Sequence, residues 1–146
     1  MVEEAEGAGL IDWATFDQIL EMDDDGDERE FSKSIVWNFF EQAENTFTQM
    51  DDALASKNLD ELSLLGHFLK GSSAALGLTL VKDSCEKIQH LGAKKDETGK
   101  DDVDDDELCL SRIQVTLEEV RKEYAESEKF LRRYFKDEGD DEAKDE

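Results

Sequence analysis

The stretch GHFLKGSSAALG, residues 66–77, gathers residue types that can do chemistry. His67 offers a ring nitrogen as nucleophile, Lys70 offers three donors and a positive charge, and Gly66 and Gly71 bracket the pair. On a helix, positions three, four and seven away share the face of His67: Asp60, Ser63, Leu64, Lys70, Gly71 and Ala74. Apart from Leu64 that face is polar or small, whereas Leu62, Leu65 and Leu69 lie to the other side. The spacing therefore points His67 toward solvent, with an ammonium one turn on and no side chain at Gly71. An accessible imidazole beside a cation suits a nucleophile that takes up an anionic group, above all a phosphoryl group. Glycine inside a helix costs roughly 1 kcal/mol relative to alanine, so both glycines need a reason. For Gly71 the reason is access to the ring. The competing reading is an ordinary surface histidine, with glycines that let helices pack closely.

The elements that must hold these residues read as helices. The β-branched and aromatic residues nowhere alternate with period two, and no proline interrupts the chain. A short helix is expected from Asp12, its N-cap, to about Glu21, with Trp13, Phe16, Ile19 and Leu20 at helical spacing. After a charged turn, Phe31, Ile35, Phe39, Ala43, Phe47, Met50 and Leu54 predict a helix over 31–56. Asn58 with Glu61 three residues on resembles a capping box that opens a helix over 59–76, and Gly77 suits its left-handed end. A fourth helix is expected over 79–91, with Leu80, Cys85, Ile88 and Leu91 inward and Gly92 as its stop. Residues 94–105 carry almost no apolar side chains and read as a mobile acidic loop. The last helix is expected from Asp106, with Leu110, Ile113, Leu117, Val120, Tyr124, Leu131 and Tyr134 on its buried face. The fold class is thus all-α: an antiparallel four-helix bundle with a short additional N-terminal helix across one end. Residues 1–10 and 137–146 are expected to be flexible acidic ends around one domain over 11–136.

Composition narrows the function. The 146 residues include 40 acidic and 17 basic side chains, a formal net charge of -23. Such a chain repels phosphate backbones and anionic lipids, so neither nucleic acid nor membrane is expected as a partner. No apolar run approaches the ~20 residues of a membrane span, and the start has no signal-peptide pattern. Cys85 and Cys109 make no disulfide framework and read as reduced thiols of the cytoplasm or nucleus. EMDDDGDEREFS, residues 21–32, half fits a calcium loop, but Glu21 and Ser32 stand where its first and last ligands belong. Cys85, Cys109, His67 and His90 lack zinc-ligand spacing, and no phosphate-binding glycine loop is present. His90 reads as an ordinary surface residue.

The pattern His67–x–x–Lys70–Gly71 followed by Gly77 resembles the signature of histidine-containing phosphotransfer (HPt) domains. NLDELSLLGHFLKGSSAALGLTLVKDSCEKIQHLG, residues 58–92, is similar to the fungal HPt proteins of multistep phosphorelays, as are IDWATFDQILEMDDD and FSKSIVWNFFEQAENTFTQM. The resemblance covers 11–92 closely and the last helix by pattern. It implies a four-helix-bundle phosphocarrier. His67 would take a phosphoryl group from the receiver domain of a hybrid sensor kinase and pass it to downstream response regulators. The Mg²⁺ and the acceptor aspartate would belong to the receiver, leaving no cofactor of the chain's own. Lys70 would neutralise phosphoryl charge, Gly71 would give access, and Gln89 would hydrogen-bond and orient the histidine. The receiver would dock on Thr15, Ile19, Met22, Phe31 and Phe68, with Asp23 and Ser72 at the edge. The chain would act as a monomer in cytoplasm and nucleus. From another class comes the alternative of an acidic helical scaffold or chaperone for basic proteins, without phosphotransfer.

Overall fold

The structure, a computed structural model, describes residues 11–22 and 30–139, with side chains through 135. Among the described residues, five helices follow in order: α1 (Trp13–Leu20), α2 (Glu30–Ala55), α3 (Leu59–Leu76), α4 (Thr79–Gly92) and α5 (Asp106–Gly139). Helices α2–α5 form the antiparallel bundle, and α1 lies against α2 and α3. The all-α expectation holds. Phe16, Met50, Leu62, Leu69, Ile88 and Leu131 are fully buried at its centre. Each such side chain contributes ~1.5–3 kcal/mol of transfer free energy.

Helix α1 is short and held by aromatic contact. Its Trp13 and Phe16 rings lie 5.5 and 6.0 Å from Tyr134 near the end of α5. Asp12 N–H donates to Gly77 O at 2.6 Å, which ties the start of α1 to the end of α3. Asp12 is the N-cap residue, as expected, but its side chain makes no cap bond and instead accepts from Thr15 Oγ1 at 2.9 Å.

The apolar stripe expected along α2 is correct only over its middle and end. Phe39, Ala43, Phe47 and Met50 are buried, but at the start the interior positions are Ser32 and Val36, and Phe31 is 44% exposed. A run of steps of four advances about 40° beyond a full turn each time, so Phe31 and Phe47 point ~160° apart. Both cannot face one core. In α4 the interior place goes to Val81, and Leu80 is half-buried.

α4 ends at Gly92, as expected to within a residue, and that glycine also closes α4 against α3. A Cβ there would lie 2.6 Å from Ser63 N and 2.7 Å from Leu59 O. Residues 94–105, expected to be mobile, fold back on themselves. Lys95 and Asp102 form an antiparallel bridge, with Lys95 Nζ 2.7 Å from Asp102 Oδ1. Val103 N–H donates to Lys94 O at 2.8 Å, and Val103 packs on the core. His90 is the anchor rather than a free surface residue: its Nδ1 lies 2.9 Å from Glu97 O, and Gly99, at φ +79°, sits directly over its ring. The polar side chains of this loop bond to one another, which supplies what an apolar content would otherwise have to. The last helix continues through residues 137–139, assigned from sequence to the tail. Residues 1–10 and the remainder of that tail lie outside the described residues.

One carboxylate enters the α4–α5 seam. Glu123 Oε1 accepts from Ser84 Oγ at 2.7 Å. Burial holds its carboxyl above the ordinary carboxylate range, against the opposing hydrogen bond from Ser84. Cys85 beside it is fully buried, and burial, reinforced by Glu123, pushes its thiol up to about 12. Neither cysteine is disulfide-bonded.

Two outcomes follow for stability. Gly77 has φ +77°, and a Cβ there would meet Asp12 O at 2.7 Å. Gly77→Ala is expected to destabilise the chain by at least about 1–2 kcal/mol, the ordinary cost of a left-handed non-glycine residue, measured by urea unfolding. Because the folded chain holds the Glu123 proton more tightly than the unfolded chain, stability is lost as pH rises through the raised value. Glu123→Gln keeps an acceptor for Ser84 but cannot ionise. It is expected to melt above the parent chain at pH 7, with the gap closing below pH ~4, where glutamate is protonated in either state.

Candidate functional site

Helix α3 has the boundaries its sequence signals. Asn58 Oδ1 accepts from Glu61 N–H at 3.1 Å, and Gly77 ends the helix in left-handed conformation, its N–H bonded to Ala74 O and Ser73 O. His67 stands mid-helix, about two turns from either end, on backbone that does not fray. Leu62, Leu65, Leu69 and Leu76 are buried on one face. His67 is exposed on the other.

Lys70 follows one turn later, half-buried, and no described carboxylate or hydrogen-bond partner occupies its ammonium. Its charge is therefore available to an incoming anion. Gly71 is exposed, and a Cβ built there meets nothing within 4 Å. No packing inside the chain requires that glycine. Gly66 is the opposite case: its Cβ would lie 2.9 Å from both Cys85 O and Gln89 N. The two glycines have separate reasons, one open surface and one helix contact.

Leu64 and Phe68, at 65% and 49% exposure, flank His67 on α3. Met22, beyond the end of α1, and Phe31, at the start of α2, are also exposed, at 59% and 44%. Ile19 corrects the expected surface: at 8% exposure it belongs to the core, packed inward with Phe16 and Leu20 of α1. Thr15 is half-buried against Gly77. Ser72 is half-buried and donates to Phe68 O at 3.3 Å. Asp23 lies outside the described residues.

Gln89 is on α4, where expected, but the hydrogen bond to His67 that the resemblance implies is not made. Gln89 Oε1 is buried without a partner. Its backbone carbonyl accepts instead from Ser63 Oγ at 2.9 Å. Sequence reasoning gave no role to Ser63, read Gly92 only as a helix stop and took His90 for an ordinary surface residue, because each acts through a residue beyond its own helical turn. Among the described residues, no group of three His, Cys, Asp or Glu side chains could hold a metal ion. No described helix is long and apolar enough to cross a membrane.

An exposed imidazole, a free ammonium one turn on and an open helix face thus stand together on α3. The Hpt domain family model matches residues 34–127. The chain belongs to the Hpt domain family. It is 51% identical over 122 residues to multistep phosphorelay regulator 1 of Schizosaccharomyces pombe, covering 84% of this chain and 41% of that protein. It is 50% identical over 93 residues to phosphorelay intermediate protein YPD1 of Candida albicans, covering 64% of this chain and 50% of that protein. The chain thus spans about half the length of these relatives. Among solved structures it is similar to Saccharomyces cerevisiae Ypd1 crystallised with the receiver domain of its downstream response regulator Ssk1. That match has a TM-score of 0.75 and 36% identity, and covers 86% of this chain and 94% of that one.

As an Hpt domain with an open face at Gly71, the chain should tolerate a long side chain there. Gly71→Gln is expected to leave the far-UV circular dichroism unchanged and to raise stability by up to ~1 kcal/mol through helix propensity, measured by urea unfolding.

Proposed function

We propose that the chain is a phosphorelay intermediate that carries a phosphoryl group on His67. The single observation behind this reading is the exposed His67 with the unpaired Lys70 ammonium on the same helix, within an Hpt domain. A ring nitrogen of His67 attacks the phosphorus of an aspartyl phosphate on a receiver domain. The P–N bond forms as the P–O bond to the aspartate breaks, and the carboxylate leaves with the bonding pair. The other ring nitrogen keeps its proton. Lys70 offsets charge on the non-bridging oxygens, and the bare backbone at Gly71 lets the receiver come close. The same steps in reverse deliver the group to a second receiver.

The partners in this reading are receiver domains: that of a hybrid sensor kinase upstream and those of response regulators downstream. The relatives named as phosphorelay proteins, and the Ypd1 complex with a receiver, support it. The Mg²⁺ of the reaction would sit in the receiver. Leu64, Phe68, Met22 and Phe31 would supply the apolar docking surface, and aspartyl-phosphate receivers of cytoplasm and nucleus would meet a monomeric carrier there. The scaffold alternative rests on the net charge of -23 alone.

The test is incubation with a phosphorylated receiver domain and Mg²⁺. The wild-type chain is expected to acquire acid-labile phosphate, His67→Gln none, and Gly71→Gln to acquire it more slowly. Equal labelling of wild type and His67→Gln would remove the site assignment. An unlabelled wild type that still binds basic proteins, with affinity falling steeply in salt, would favour the scaffold.

A further inference from the structure

The α3–α4 seam reaches backbone contact opposite one residue of the site. A Cβ at Gly66 would lie 2.9 Å from Gln89 N, 2.9 Å from Cys85 O and 3.3 Å from Gln89 Cα. One turn earlier, Ser63 Oγ donates to Gln89 O at 2.9 Å. That carbonyl already accepts from Ala93 N–H at 3.1 Å, so the serine is not needed to satisfy it and acts as a tether between helices. Gly92 closes the seam on the other side of Ser63, where its Cβ would meet Ser63 N at 2.6 Å. The atoms in the way are backbone, which cannot rotate aside as a side chain can. The backbone of Gln89 is therefore held by the residue before His67 and by the residue one turn before it.

At the end of that held residue sits Gln89 Oε1, buried and without a partner. A buried unpaired acceptor is costly, and each such group calls for an explanation, a role in catalysis among them. The imidazole of His67 needs one ring N–H held so that the lone pair on its other nitrogen is free to react.

We propose that Gly66 and Ser63 are positioning residues for phosphoryl transfer: they set the depth at which α4 sits, so that Gln89 Oε1 receives the His67 ring N–H and fixes its tautomer. This rests on the phosphotransfer reading. Gly66 acts by absence, since any side chain moves α4 outward. Ser63 acts by holding α4 in.

The experiment uses the full chain as wild type, Gly66→Ala, Ser63→Ala, Gln89→Ala and the double variant Gly66→Ala/Gln89→Ala. Two readouts are taken: the rate of phosphoryl uptake from a phosphorylated receiver domain, and the ¹⁵N NMR signals of the His67 ring, which report its tautomers. Gly66→Ala is expected to slow uptake roughly 10- to 100-fold, as a displacement near 1 Å does, and to shift the tautomers toward those of free histidine. Added to Gln89→Ala it should slow uptake no further, because it acts through Gln89. Ser63→Ala introduces no bulk and should shift the tautomers the same way by less. It carries the measurement should Gly66→Ala not fold. Wild-type tautomers and uptake in Gly66→Ala, or in Ser63→Ala where the former does not fold, would overturn the proposal. So would independent, multiplying effects of Gly66→Ala and Gln89→Ala. A wild-type chain that takes up no phosphate would instead overturn the phosphotransfer reading, and the ring signals would still decide the positioning.

Discussion

In the phosphotransfer role proposed for it, His67 has to be exposed to a partner protein and yet held still. Helix α3 meets both demands by its two faces. Its leucines, Leu62, Leu65, Leu69 and Leu76, are buried, and its backbone touches α4 at Gly66 and, through Ser63, at Gly92. The helix cannot roll without driving backbone into backbone. Protein interiors resist such displacement because they are close-packed, so a face opposite the core inherits the rigidity of the core. His67 stands on that face. Its exposure is therefore not looseness.

The electrostatics work at two ranges. The whole chain carries a net charge of -23, which opposes any phosphorylated partner at long range. Salt screens exposed charges beyond ~8–10 Å, so contact distance is governed by neighbours alone. There the free ammonium of Lys70 dominates, while many other cations are engaged: Lys57 with Glu107, Lys94 with Asp106, Lys95 with Asp102 and Arg121 with Asp51. Basic side chains consumed in the acidic loop and between helices are lost to a ligand. The one left beside the imidazole is the one that a phosphoryl group would meet.

Much of this arrangement was legible in the sequence. Asn58, Glu61 and Gly77 mark the ends of α3 through local hydrogen bonds and a left-handed residue, and both ends are where those signals put them. The face of His67 followed from helical periodicity, which needs no partner element. The long α5 stripe from Leu110 to Tyr134 was read the same way. The errors fell where periodicity had to be assigned to a particular core. Phe31 lies at the end of a stripe of fours that winds off the buried face, and Ile19 is on a helix of eight residues with too few turns to separate an inner face from an outer one.

The sequence by itself determined which segments are helical, where α3 begins and ends, and which of its faces carries the imidazole and the ammonium, because those properties depend on residues within a turn or two of one another. Only the tertiary structure decided what Gly66 and Gly92 are for, that Gln89 packs its backbone on α3 and buries an unpaired side-chain oxygen, and that His90 anchors the loop over 94–105. Each of these joins two separate stretches of chain at van der Waals or hydrogen-bond distance. A glycine in open water and a glycine against a neighbouring backbone read identically along the sequence; the difference is the atom that would meet its Cβ, and that atom belongs to another helix.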